Sequence, residues 1–388
     1  MPSVAPSRVI WLRSVTCTVQ LVTRAAPADP SRRDGFDTLR MVSAVLVIVV
    51  HAESLTARPL VPGWDSLALG IPVLFGFMAI SGYLVTASWL RDPSVVRYAG
   101  RRLLRIMPAL AVVLLLGAVV LGPLLTTLPL AEYWRHPQTA GYLWQNMLLF
   151  PQQHSLPGVF AGNPYPHAVN GSLWTLPVDA VIYGAVLLLG VLGLLRRRWS
   201  IVGLLLLVAA VWYAYGTGVL ALPDRLLNIP TWWFLACLGM ACAGAAVSVF
   251  EHRLRWSWWG VAGCVVAYPV FALTPLHDVT RLVTVTYIVL GLARLLPYRL
   301  RIPGVIAQAS YGVYIYGFPV QQTLAHYGVA DPWLLSLSAI SVALALGLMS
   351  WYLVESPAMG LRKRFFRGRT LASVPVAATP RPVPSGVT

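Results

Sequence analysis

Met107-Pro108-Ala109-Leu110-Ala111-Val112-Val113-Leu114-Leu115-Leu116-Gly117-Ala118-Val119-Val120-Leu121-Gly122-Pro123-Leu124-Leu125 carries no charged side chain, and the apolar run continues to residue 129. A helix of about 20 such residues, rising ~1.5 Å per residue, crosses the hydrocarbon layer of a bilayer. The rest of the chain has the same character. Hydrophobic residues make up 57% of the 388 and charged residues only 11%, against roughly 25% charged in a soluble domain. Working outward from 107–129, comparable runs lie near 36–55, 67–90, 172–195, 200–220, 231–250, 257–273, 279–297, 305–327 and 333–354. The sequence therefore predicts an all-α, polytopic integral membrane protein with about ten transmembrane helices.

The net charge of +16 does not indicate a nucleic-acid partner. Its arginines form short clusters between apolar runs, as the positive-inside rule produces. With the N-terminus inside, the inner segments hold Arg32 and Arg33, Arg91 to Arg105, Arg196 to Arg198, Arg253 and Arg255, Arg299 and Arg301, and a tail with Arg362, Lys363, Arg364, Arg367 and Arg369. The outer segments hold Arg58, Arg135, Arg225 and Arg281. This asymmetry predicts a multi-pass protein of the cell membrane with both termini cytoplasmic.

The chain divides into an N-terminal extension over 1–35, expected to be disordered, a membrane domain over 36–362, and a basic then Pro/Ala-rich tail over 363–388. No internal repeat and no appended soluble domain is expected. The longest outer segment, about 130–171, is rich in Pro, Gly, Asn and His and suits a lid or acceptor site. Its apolar piece Tyr142 to Phe150 is too short to span. Of Cys17, Cys237, Cys242 and Cys264, the last three lie in apolar runs without a CxxC pair, so neither a disulfide nor a metal site is expected.

Ionisable groups within spans are costly and mark function by default. Arg40 and His51 share the first span. Eleven residues at about 100° each return to within about 20° of the starting direction, with the Cα atoms ~16 Å apart. A snorkelling Arg40 and an interfacial His51 are an equally open reading of that spacing. Asp179 in the fourth span lies at a depth similar to that of His51. Such a pair suits a general base with an orienting carboxylate, or else Asp179 serves helix packing. Arg97, Arg101, Arg102 and Arg105 form a basic stripe just before Pro108. Guanidinium groups suit phosphate, and a cytosolic phosphate-bearing donor is one reading; contact with anionic lipid is the other.

Several separated stretches resemble, in order, the membrane-bound acyltransferase 3 family. They are Asp34-Gly35-Phe36-Asp37-Thr38-Leu39-Arg40 with His51-Ala52, Phe77 to Leu84 with Ser81-Gly82-Tyr83, Arg101 to Pro108, Asn170 to Asp179, Ser310 to Tyr314, and Val354-Glu355-Ser356-Pro357. The likeness covers about 34–362. It implies O-acyl transfer from acyl-CoA, acetyl-CoA in the first instance, to a hydroxyl of a glycan, glycolipid or glycosylated small molecule. Acyl-CoA would act as co-substrate, with no permanently bound cofactor and no metal. The resemblance implies His51 as the base supported by Arg40, and Arg101, Arg102 and Arg105 near the donor phosphates. It also implies Ser172, Trp174 and Asp179, with Ser81 and Tyr83, around the substrate. Two positions depart from the family: Asp179 stands where Glu is common, and Gly317 where His is frequent. A transporter or flippase of glycan or lipid would also need buried charge, although the paired halves of many transporters are not detected. A scaffold without activity is the third reading. The retained Arg40, His51 and arginine stripe weigh against it.

Overall fold

The computed structural model describes residues 34–365, apart from 64, 272, 273, 275 and 276. The expected extension up to residue 33, with Cys17, and the tail beyond 365 lie outside the described residues. The chain forms α1 (Gly35–Thr56), α2 (Leu67–Arg91), and α3 (Val95–Leu115), which continues through a wide turn at Leu116–Leu121 into Gly122–Leu125. Two short helices follow, α4 (Leu130–Arg135) and α5 (Pro137–Met147). Next come α6 (Leu176–Val191), α7 (Arg198–Gly216), a hairpin of β1 (Arg225–Leu226) and β2 (Ile229–Pro230), and α8 (Thr231–Phe250). The chain then forms α9 (Trp258–Val270), α10 (His277–Leu295), the short α11 (Gly304–Gln308), α12 (Ser310–His326), α13 (Pro332–Ser350) and α14 (Ser356–Phe365).

Each expected span coincides with a helix. Seven helical segments among the described residues are long and apolar enough to cross a membrane. The other three are α9, with 13 residues, α10, which carries Asp278, Arg281 and Arg294, and α12, with 17 residues. The chain is thus an all-α, multi-pass membrane protein. Large apolar side chains on the outer faces stay exposed, including Leu206 and Leu207 on α7, Val265 and Val266 on α9, and Leu334 and Leu337 on α13. Such surface suits lipid rather than water.

Helices in lipid gain little from hydrophobic burial and pack instead through small residues. The α2–α8 seam shows this. A Cβ on Gly82 would sit 2.0 Å from the carbonyl oxygen of Ala241, and one on Gly244 would sit 2.0 Å from that of Ala79. Gly312 and Gly347 bring α12 and α13 together in the same way.

The connection from α5 to α6 is folded onto the helices. Asn163 donates to the backbone and side-chain oxygens of Gln322 at 2.9 and 2.7 Å. Gln322 in turn donates to the carbonyls of Tyr165 and Ala168, and Asn170 donates to that of Ile315 at 2.9 Å. The apolar piece expected at Tyr142 to Phe150 belongs mostly to α5, whose Tyr142 is buried with Leu110 and Leu114 of α3.

Candidate active site

A cavity of about 460 Å³ opens beside α1 at the end of the bundle carrying the 148–170 connection and the β-hairpin. Ser43, Ala44, Val47, Val50, His51 and Ser54 present one continuous face of α1 to it, over roughly 16 Å of helix. Ile71, Leu74 and Phe77 of α2 form a second wall. Trp174, Thr175, Trp233 and Tyr314 add further lining, and Gln152, His154, Tyr165, Arg225 and Asn228 close the loop end.

His51 is half-buried on this face, with the Phe318 ring edge-on at 5.3 Å. No hydrogen bond to its ring nitrogens is found among the described residues, so a bound molecule can engage them. His154 differs. Its Nδ1 lies 3.3 Å from the Asn170 carbonyl oxygen. A carbonyl only accepts, so Nδ1 carries the proton and the neutral ring leaves Nε2 as an acceptor. Burial pushes the His154 pKa down; the Asn170 carbonyl opposes this, and Arg225 adds to it.

Arg40 lies on the same face of α1 one turn before Ala44, its guanidinium carbon 5.6 Å from the centre of the Phe77 ring. No ion pair or hydrogen bond to it is found among the described residues. Phe77 also lines the cavity, so the cavity begins beside this cation and runs past His51 toward the loops.

The arginine stripe splits in two. Arg97 binds Asp92 through Nε at 3.0 Å and through a terminal nitrogen at 2.6 Å; Arg101 binds the same carboxylate at 2.5 Å. These bonds hold the Asp92 carboxyl well below the usual carboxylate range. Arg101 thus has one terminal nitrogen on Asp92, while its buried Nε lacks a hydrogen-bond partner. Arg102 lies between the rings of Tyr98 and Tyr183 at 5.8 and 5.6 Å, and its buried Nε has no hydrogen-bond partner. Arg105 stands over Trp351 at 5.6 Å, donates to the Gln308 carbonyl, and approaches the wholly buried Glu355 at 3.5 Å. A wide turn at Trp351–Glu355, which follows α13, supplies both Trp351 and Glu355.

The expected His51–Asp179 pair is not formed. Asp179 is buried and accepts from Ser81 Oγ at 2.9 Å, and the cations acting on it are Arg40 and Arg102. It belongs to the arginine end, because its position one turn into α6 faces Ser81 on α2. Ser81 thus touches the site through Asp179 and does not line the cavity. Tyr83 is displaced further: it stacks on Phe36 at 5.0 Å and donates to Glu251 at 2.6 Å beside Arg294. Two residues along a helix turn about 200°, so Ser81 and Tyr83 cannot face one site. Trp174 lines the cavity as expected. Ser172 is buried behind it; its carbonyl accepts from Tyr314 at 2.8 Å, while its hydroxyl lacks a partner. Gln152, His154, Tyr165, Arg225, Asn228 and Trp233 were not anticipated. The His-, Asn- and Pro-rich composition of the outer segment, and Trp232-Trp233 directly after Pro230, were the available signals. Among the described residues no cluster of metal-ligating side chains occurs.

The family model described as "Acyltransferase domain", of the acyltransferase 3 type, matches residues 33–352. A protein called "Nodulation protein 10", from Rhizobium leguminosarum bv. viciae, is 31% identical over 362 residues, covering 85% of this chain and 94% of its own. A protein called "O-acetyl transferase", from Shigella phage Sf6, is 32% identical over 333 residues, covering 82% of this chain and 94% of its own. No solved structure gives a significant match. With that match spanning most of the chain, over the helices that carry Arg40, His51 and the arginine stripe, the protein belongs to the acyltransferase 3 family and is a membrane-bound acyltransferase acting on groups other than amino-acyl.

Proposed function

We propose that the protein moves an acyl group, acetyl in the first instance, from acyl-CoA to a hydroxyl of a glycan, glycolipid or glycosylated small molecule. The cavity carries this reading: it links the level of Arg40 to His51 and ends among aromatic and hydrogen-bonding groups. In this reading the arginine end faces the cytosol of a cell-membrane protein, and Arg40, Arg102 and Arg105 receive the donor phosphates. Guanidinium groups bind phosphate oxygens through paired N–H donors. The ~16 Å between the Arg40 and His51 Cα atoms supports giving Arg40 to the donor rather than to the reacting carbonyl.

The acceptor enters from the loop end and packs its ring faces on Trp174 and Trp233. The His51 imidazole takes the hydroxyl proton as that oxygen adds to the thioester carbonyl. Collapse of the adduct breaks the C–S bond, and the imidazolium returns its proton to the departing thiolate. The products are an ester and a free thiol. Asp179, held by Ser81, adds a negative charge to the field around Arg40 and Arg102. The name of the phage relative supports acetyl and a hydroxyl acceptor.

The test is His51→Ala in purified, nanodisc-embedded protein, reading thiol release from acetyl-CoA with a panel of glycoside acceptors. Loss of a general base removes about 10²–10⁴-fold in rate, with the thermal unfolding temperature unchanged. Turnover at the wild-type rate would exclude His51 as the base.

A further inference from the structure

The loop end of the cavity has an uneven charge. Among the described residues lining it there is no carboxylate, and the one permanently charged side chain is Arg225. Arg225 sits on the β1–β2 hairpin, whose turn residues Leu227 and Asn228 take φ of 50° and 61°. It spends its Nε–H on the Asn228 carbonyl at 3.2 Å, leaving its terminal N–H groups for another partner. No ion pair joins it to a carboxylate among the described residues; the adjacent Asp224 neither pairs with it nor lines the cavity. Nearby stands His154, whose Nδ1 is occupied by Asn170 and whose Nε2 is left to accept. The walls below are the flat rings of Trp174 and Trp233, 6.2 Å apart and edge to face.

From this arrangement we propose that the acceptor is an anionic sugar, with a carboxylate or phosphate held by Arg225 and a neighbouring hydroxyl donating to His154 Nε2, while its ring lies against the tryptophans. A planar guanidinium matches both oxyanions. A cationic amino sugar finds no carboxylate to pair with and is disfavoured by Arg225. This deepens the reading of the cavity as the acceptor site and rests on it, but it concerns binding and not transfer.

The experiment uses the full-length protein in detergent and the methyl glycosides of glucose, glucuronic acid, glucose 6-phosphate and glucosamine. Equilibrium titration of tryptophan fluorescence reads binding without turnover. The two acidic glycosides should bind at least about 10-fold tighter than the neutral one, and glucosamine weakest, with the advantage shrinking at high salt. The tighter acid identifies the anion. Arg225→Ala should erase the preference, Arg225→Lys should keep most of it, and Arg225→Glu should reverse it toward glucosamine. Equal or undetectable binding of all four glycosides, or a preference that survives Arg225→Ala, overturns the proposal. So does a result in which Arg225→Ala weakens only binding to anionic lipid vesicles. Repeating the titration in His51→Ala separates the two readings. A preference retained there without any acyl transfer by the wild type would sink the catalytic reading alone.

Discussion

At Asp179 a one-methylene difference from the family's usual glutamate coincides with a partner other than the histidine. The carboxylate accepts from Ser81 and lies in the field of Arg40 and Arg102. Charge-assisted bonds of this kind contribute about 1.5–3 kcal/mol. Asp179→Asn and Ser81→Ala should therefore each reduce kcat/KM for the donor, and the double variant should lose less than the sum. Residues in one network couple by about 0.5–3 kcal/mol. Losses that add to within about 0.5 kcal/mol would show that the two side chains act apart. The same network explains what could be read from the sequence here. Arg40 and His51 were legible because one helix fixes their common face. The partner of Asp179 was not, because residue 179 meets residue 81 through the packing of α6 on α2. Arg101 and Arg102 look equivalent in the sequence, yet about 100° of helix rotation sends one to Asp92 and the other between two tyrosines.

At the scale of elements, each apolar run read from the sequence falls on a helix, and seven of those helical segments are long and apolar enough to cross a membrane. Their ends were less legible. α3 begins at Val95, well before its apolar run, because the basic stripe continues the same helix. At the loop end of the cavity the segment 130–171 stood out by composition, but the individual lining residues did not, since they come together from residues 152–168, the hairpin and α8. Element packing makes a prediction at the α2–α8 seam. Backbone oxygen lies where a side chain at Gly244 would start, so Gly244→Ala must push the helices apart. Overpacking of this kind costs about 1–3 kcal/mol. Thermal unfolding in detergent should occur several degrees lower than in the wild type, and an unchanged unfolding temperature would show that the seam yields freely. α2 and α8 also carry the Phe77 and Trp233 walls, so the variant should lose acyl transfer along with stability.

Across the whole molecule, the arginine clusters and the cavity mouth lie at opposite ends of the bundle. On the reading proposed above, which follows the positive-inside rule, the arginine end faces the cytosol. Reporter fusions at Pro137 and Arg197 should then report opposite sides of the membrane, and signals from one side would refute the orientation. The face of α1 between Arg40 and His51 has a further consequence in this setting. If Arg40 takes the donor's charged head and His51 its cargo, as proposed, one helix sets the two about three turns apart. A donor serving both would then need a slender arm of matching length, such as the pantetheine chain of coenzyme A, threading between α1 and Phe77. On the proposed reading, a compact acyl phosphate or a bare thioester would reach one site or the other and not both, and α1 would measure donors by their span.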